Sequence, residues 1–298
     1  MLLRTLGTAA GGGVPQWNCA CPGCAGARLH PGWRRQHDCL AVLGDAPGAW
    51  CLINATPDIT TQLQGQPELR PAAGQKRTPL VRILLTDAEL DHALGLFQLR
   101  EADRIEVLAT APVRAALTEH LRLDQVLAPY TDLIWRDLPL HGEPPVDLSG
   151  LHVSAVPLSS KRPRYAAHAD EHPAWSSAVR LHDPHADTTA LYAPALAAWS
   201  DTVDEAVAGA DVAFIDGTFW DDDEPQRTGI SSRTATGMGH LPIDGPEGTA
   251  KHLNDLGARC FYTHLNNTNP LVDPSAPQHK ELAALGLAAA NEGMETTL

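Results

Sequence analysis

Short apolar runs that stop on an ionisable residue constrain this chain more than any other feature. LVRILLT (80–86) runs into Asp87, the VAFID run ends at Asp216, and RCFYTH (259–264) ends at His264. Apolar runs of this length, rich in Val, Ile, Leu and Phe, read as buried strands. An ionisable residue at such a strand end is common in the clefts of α/β proteins. Each has a plainer explanation, since Asp216 can cap a turn and His264 can be a hydrogen-bonded core histidine. Three in one chain are harder to dismiss.

The same reading places strands at CLAVLG (39–44), WCLINA (50–55), EVLAT (106–110), LHVSAV (151–156) and ALYAP (190–194). Helical patterns cover 91–102, 111–121, 201–209, 246–257 and 278–285. Pro246 and Glu247 suit a first helical turn, and Gly257 suits an end. The Pro/Gly-rich stretches 65–79 and 141–148 read as surface loops. Strands come first and then mix with helices, without an internal repeat. The expectation is one α/β domain over 1–298.

Hydrophobic residues at 43% and charged residues at 19% are a globular balance. With 22 basic against 36 acidic residues, the formal charge is −14. That leaves no basic footprint for nucleic acid or for an anionic membrane surface. No apolar run reaches the ~18 residues of a membrane span. The opening MLLRTLGTAAGGGVPQ lacks the apolar stretch of a signal peptide, so the expected compartment is the cytoplasm. A homodimer stays open.

Behind Thr86, the residues Asp87, Glu89, Asp91 and His92 follow within seven positions. Four such side chains at a strand end can converge on one cation. An acidic helix N-terminus explains Asp87 alone, but not all four with His92 among them. His240, in GMGHLPIDG, precedes a helical pattern and taken alone reads as a surface or capping residue. Cys19, Cys21 and Cys24 have C-x-C-x-x-C spacing, which suits one tetrahedral ion and not a set of disulfides. Soft thiolates select Zn²⁺, so a structural zinc is expected, with one ligand still to find. Cys39, Cys51 and Cys260 are scattered and read as small core residues. SSKRPRYAAH (159–168) sets Lys161, Arg162 and Arg164 beside Tyr165 and His168. It is either a solvated charge run or the local cations of a pocket for an acidic substrate.

The order D-x-E-x-D-H, strand-Asp, strand-His resembles the metallo-β-lactamase superfamily, whose first motif is normally H-x-H-x-D-H. Within it the chain resembles the pyrroloquinoline quinone biosynthesis protein B family. The segments that carry this are LGTAAGGGVPQWNCACPGCAGAR, LINATPDITTQL, LLTDAELDHALGLFQLRE, DGTFWDDDE, TGMGHLPIDGPEG, HLNNTNPLVD and NEGMETTL. Departures lie at 34–39 (RRQHDC) and around 157–180.

The resemblance implies a four-layer αββα sandwich with metal at one edge of its two sheets. It puts Asp87 and Glu89 where dinuclear relatives hold a first metal with histidines. It assigns Asp91, His92 and His264 to the remaining metal, and Asp216 to the carboxylate that bridges in those relatives, ligating here or orienting bound water. Two imidazoles and a carboxylate match the facial triad of non-haem Fe(II) oxygenases. The implied activity is an Fe(II)-dependent hydroxylase that uses O₂ on a small amino-acid-derived substrate, a Glu–Tyr-derived diamino acid. Asp87 and His240 would serve catalysis, His240 by exchanging the phenolic proton. Lys161 and Arg164 would meet substrate carboxylates. A related phosphodiesterase family supplies its fourth zinc ligand at the position of Asn267, with His37 or a water as alternatives here. Other readings of the same residues are a metal-dependent ester or phosphodiester hydrolase and a carrier of the quinone product.

Overall fold

Strands with Val, Ile and Leu on both sides must be covered on both faces, and here they are. The structure, a computed structural model, describes residues 1–44, 50–74, 80–254 and 256–298. One sheet contains β1 (Leu2–Gly7), β2 (Cys39–Leu43), β3 (Trp50–Ile53), β4 (Leu80–Leu84), β5 (Arg104–Ala109), β6 (Asp132–Asp137) and β14 (Glu295–Thr297). Its order is β14-β1-β2-β3-β4-β5-β6, antiparallel up to β3 and parallel from β3 onward. The second contains β7 (Val146–Leu148), β8 (Leu151–Ser159), β9 (Ser176–Asp183), β10 (Thr188–Ala193), β11 (Val212–Asp216), β12 (Arg259–Thr263) and β13 (Ala288–Ala289). There β7 to β10 are antiparallel and β10 to β13 parallel, in spatial sequence.

Alternation along each strand builds the layers. Leu84 of β4 and Phe214 of β11 meet in the core between the sheets. Their neighbours Ile83, and Ala213 with Ile215, face outward. Ile59, Leu96 and Val113, from helical segments, cover the first sheet. Val203, Val207, Leu253 and Leu282 cover the second. The expected order of helix, sheet, sheet and helix is what forms. No helix among the described residues is long and apolar enough to cross a membrane.

The helix expected over 91–102 is instead three short turns, Leu90–Ala93, Gly95–Gln98 and a 3₁₀ turn at Leu99–Glu101. Its course is set by close approach, because Gly95 N–H donates to the Ala55 carbonyl at 2.8 Å. The pattern at 111–121 gives a short α-helix (Ala111–Ala115) that passes into a π turn. The helix expected at 246–257 is confined to Thr249–Asn254, with Pro246 and Glu247 in the turn before it; residue 255 lies outside the described residues. The helix expected at 201–209 forms as Asp201–Ala208 and that at 278–285 as Gln278–Ala284. The stretch 141–148 is not all loop, because β7 lies in it. The stretch 65–79 includes a 3₁₀ turn at Pro67–Leu69, and its residues 75–79 lie outside the described residues. Strands β1, β6, β9, β13 and β14 carry too many polar or too few residues to stand out as apolar runs. Arg4, for example, lies within β1 and is buried by ion pairs to Glu68 and Glu295.

Candidate metal centre

Strands β4, β11 and β12 end at the same edge of the sandwich, so the loops after them meet there. The loop after β4 carries Asp87 to His92, β11 itself ends on Asp216, and His264 follows β12 directly. His264 has a left-handed backbone (φ +59°), which is costly for a residue with a Cβ and marks a site held by its surroundings.

Two buried imidazole nitrogens point at one carboxylate oxygen. His92 Nε2 lies 3.6 Å and His264 Nε2 3.5 Å from Asp91 Oδ2. Both nitrogens are buried and make no hydrogen bond. Polar atoms buried in this way are expensive unless something coordinates them. The other ring nitrogens are fixed. His92 Nδ1–H donates to Asp87 Oδ2 at 2.8 Å, leaving Nε2 as a lone pair. The Thr218 hydroxyl donates to Asp216 Oδ1 at 2.6 Å and therefore accepts His264 Nδ1–H at 2.9 Å. His264 Nε2 is again left as a lone pair. Two imidazoles with fixed tautomers and a carboxylate therefore suit a divalent cation.

Asp216 is fully occupied. Oδ1 accepts from the Thr218 N–H and hydroxyl, and Oδ2 from Leu196 N–H and His240 Nδ1. In this arrangement it positions His240 and Thr218, while Asp216, His240 and His264 also bring ligand atoms within 4.8 Å of one another, a second group able to hold a cation. Asp87 is similarly committed to His92, the Thr86 hydroxyl and Glu89 N–H. Glu89 lines the cleft but stands outside the group formed by Asp91, His92 and His264.

The electrostatics favour a cation. Burial alone would lower the His92 pKa, but Asp87 and Asp91 outweigh it and push it up to about 10, so without a metal a proton sits on Nε2 in the place a cation would take, and binding the cation frees that lone pair. Burial would raise Asp91, yet the His92 and His264 rings hold it well below the usual carboxylate range. Burial, together with Asp87 and Asp91, pushes Glu89 up.

These residues floor a cleft of about 940 Å³. His240 lies in its wall, its ring 5.7 Å from that of His264. The loop expected to hold substrate forms another wall with Lys161, Arg162, Arg164 and Tyr165. Lys161 is not free there, because its ammonium donates to the Met238 carbonyl at 2.7 Å. Sequence reasoning passed over Arg233, Ser176 and Gln16, which also line the cleft. None carries a spacing signal. Gly11 packs so tightly that a Cβ there would sit 3.3 Å from Asp91 Oδ2.

Cys19, Cys21 and Cys24 converge, their sulfurs all within 4.8 Å of one another. Cys21 also caps the helix Pro22–Leu29. Burial acts to raise the Cys21 thiol, but hydrogen bonds from Cys24 N–H and Asn267 outweigh it and hold it below its ordinary value. Burial pushes Cys24 up to about 12. Asn267 does stand at the cluster, but its amide nitrogen lies 3.2 Å from both Cys19 and Cys21 sulfurs, as a donor. His37 stands away from the cluster, bonded to Asp58 at 2.6 Å.

A β-lactamase superfamily domain model matches residues 49–264. The coenzyme PQQ synthesis protein B of Azoarcus sp. strain BH72 is 41% identical over 305 residues, covering all of both chains. That of Cupriavidus necator is 40% identical and covers 99% of each. Among solved structures, Zn(2+)-bound PqqB from Methylobacterium extorquens superposes with a TM-score of 0.88 at 30% identity, covering both chains in full. The chain thus belongs to the coenzyme PQQ synthesis protein B family and has the metallo-β-lactamase fold of that family.

Proposed function

We propose that this protein is an Fe(II)-dependent hydroxylase acting on the phenol ring of a Glu–Tyr-derived diamino acid with O₂. The observation that carries this is the pair of unpartnered Nε2 atoms of His92 and His264 around Asp91 Oδ2. Those three residues would hold the iron. A two-histidine, one-carboxylate site leaves coordination positions open and supplies O₂ activation. Asp87 and Thr218 fix the tautomers of the two histidines. His240, held at Nδ1 by Asp216, presents Nε2 as the base for the phenolic proton. Arg164 on the cleft wall meets the substrate carboxylates.

The commitment of Asp87 and Asp216 to hydrogen bonds favours one cleft metal over the two that a dinuclear hydrolase uses. Protein loaded anaerobically should bind about one iron beyond its zinc by the triad argument. Oxygen uptake should then follow addition of the diamino acid with ascorbate as reductant. Unchanged iron binding in a His92→Ala, His264→Ala double variant would sink the assignment. Hydrolysis of an ester or phosphodiester without oxygen uptake would favour the hydrolase.

The three cysteines are the proposed zinc site, pinning the N-terminal glycine loop to the body. Cys21→Ser should lose zinc and melt at a lower temperature, as atomic absorption and calorimetry would show. Full zinc content in that variant would refute the site.

A further inference from the structure

Four cations line the cleft, and their hydrogen bonds divide them. Lys161 reaches across it, with Nζ 2.7 Å from the Met238 carbonyl. Its stem lies on Gly239, where a Cβ would sit 2.9 Å from Lys161 Cδ. Gly239 is left-handed (φ +92°) and immediately precedes His240, so this contact and this turn both require glycine. Asp222 holds the other side of the same segment, accepting Thr236 N–H and its hydroxyl at 2.8 Å each. The Arg162 guanidinium donates to the Ala169 carbonyl and faces Glu171 at 3.9 Å. Arg164 and Arg233 are different. Both are exposed at the cleft, from opposite segments, and no carboxylate among the described residues pairs with either; Arg233 spends a single donor on a long 3.4 Å bond to the Gly237 carbonyl, which leaves the rest of its fork facing the cleft.

We infer that Lys161 is a positioning residue that straps the Met238–His240 turn in place, and that Arg164 and Arg233 are the specificity-determining pair for substrate carboxylates. The part concerning the arginines deepens the proposed function and rests on it. Guanidinium groups suit the task, since their planar forks match carboxylates two bonds at a time. Lysine's ammonium, with one donor spent on a backbone carbonyl, suits the strap.

The test separates binding from turnover. Glutarate, a plain dicarboxylate, and the diamino acid are each titrated calorimetrically into the zinc-loaded protein, where no oxidation occurs. Arg164→Gln and Arg233→Gln should each weaken both ligands about tenfold or more, the scale of one lost charge-assisted pair. Lys161→Met should leave both affinities unchanged, speed amide exchange at 238–240, and lower kcat by about tenfold if His240 is the base it serves. Lys161→Arg should restore much of that loss. Arginine variants that bind glutarate as tightly as the wild type, or a wild type that does not bind it, would overturn the arginine assignment. Lys161→Met that weakens binding while leaving exchange at 238–240 unchanged would overturn the strap. Wild type that binds glutarate but never consumes O₂ with the diamino acid overturns only the hydroxylase reading.

Discussion

At the scale of single residues, the site depends on side chains that never face the metal position. Asp87 is the clearest case, since it fixes the His92 tautomer through a 2.8 Å bond. Asp87→Asn keeps the shape but removes the charge and turns one of the two accepting oxygens into an NH2 donor, so it cannot accept from both His92 Nδ1–H and Glu89 N–H. Iron affinity should fall about 10- to 100-fold, the usual effect of such partners, while zinc content stays constant. An unchanged anaerobic iron dissociation constant would show that the bond is dispensable. Glu224 gives a pH prediction. Burial pushes its carboxyl up to about 7, against bonds from the Thr268 hydroxyl and Trp220 N–H that act the other way. The native state therefore holds this proton more tightly than the unfolded chain, whose value is 4.5. The contribution is complete below pH 4.5 and is lost as pH rises through 7. Glu224→Gln should flatten the fall in Tm across that window, which thermal melts at a series of pH values would reveal. Identical slopes in the two proteins would remove Glu224 as the cause.

At the scale of elements, backbone approach decides where helices run. Gly95 is one such tight point, since a Cβ would come within 2.3 Å of the Thr56 carbonyl oxygen. Gly95→Ala must push the Gly95–Gln98 turn away from the sheet, at about 1–3 kcal/mol for an overpacked contact. Gly65 is the control, with nothing within 4 Å of its Cβ position. Gly65→Ala should be neutral or stabilise by up to about 1 kcal/mol through the unfolded chain. Urea midpoints of the two variants make the comparison, and equal midpoints would contradict it. The pattern at 91–102 was legible as helical because Leu94, Leu96 and Phe97 recur at helical spacing. That the helix breaks at Gly95 was not legible, because the carbonyl that captures its N–H belongs to residue 55.

Across the whole molecule, a buried carboxylate ties the two sheets together behind the metal centre. Asp38, just before β2, accepts hydrogen bonds from the hydroxyls of Tyr192 in β10 and Thr263 in β12. Asp38→Ala strands both hydroxyls in the interior, which should cost about 2–4 kcal/mol. Adding Tyr192→Phe removes one stranded group, so the double variant should lose less than the sum of the single losses. Denaturant unfolding measures all three. Strict additivity would show that the residues do not act together. This residue lies in RRQHDC (34–39), and nothing local there hinted at its partners.

Local pattern was enough for the strands that carry the site and for the residue types at their ends. Asp87 to His92, Asp216 and His264 stand out because apolar runs bring them to strand ends. The tight spacing of Cys19, Cys21 and Cys24 likewise needs no tertiary information. Division of labour among these residues came only with the fold. Whether Asp216 ligates or positions depends on four donors, from residues 196, 218 and 240, that fill its lone pairs. The task of Lys161 depends on a carbonyl at residue 238. A side chain's chemical type is a local property of the chain. Its hydrogen-bond partners are set by which distant segments pack beside it, and a linear pattern does not encode that.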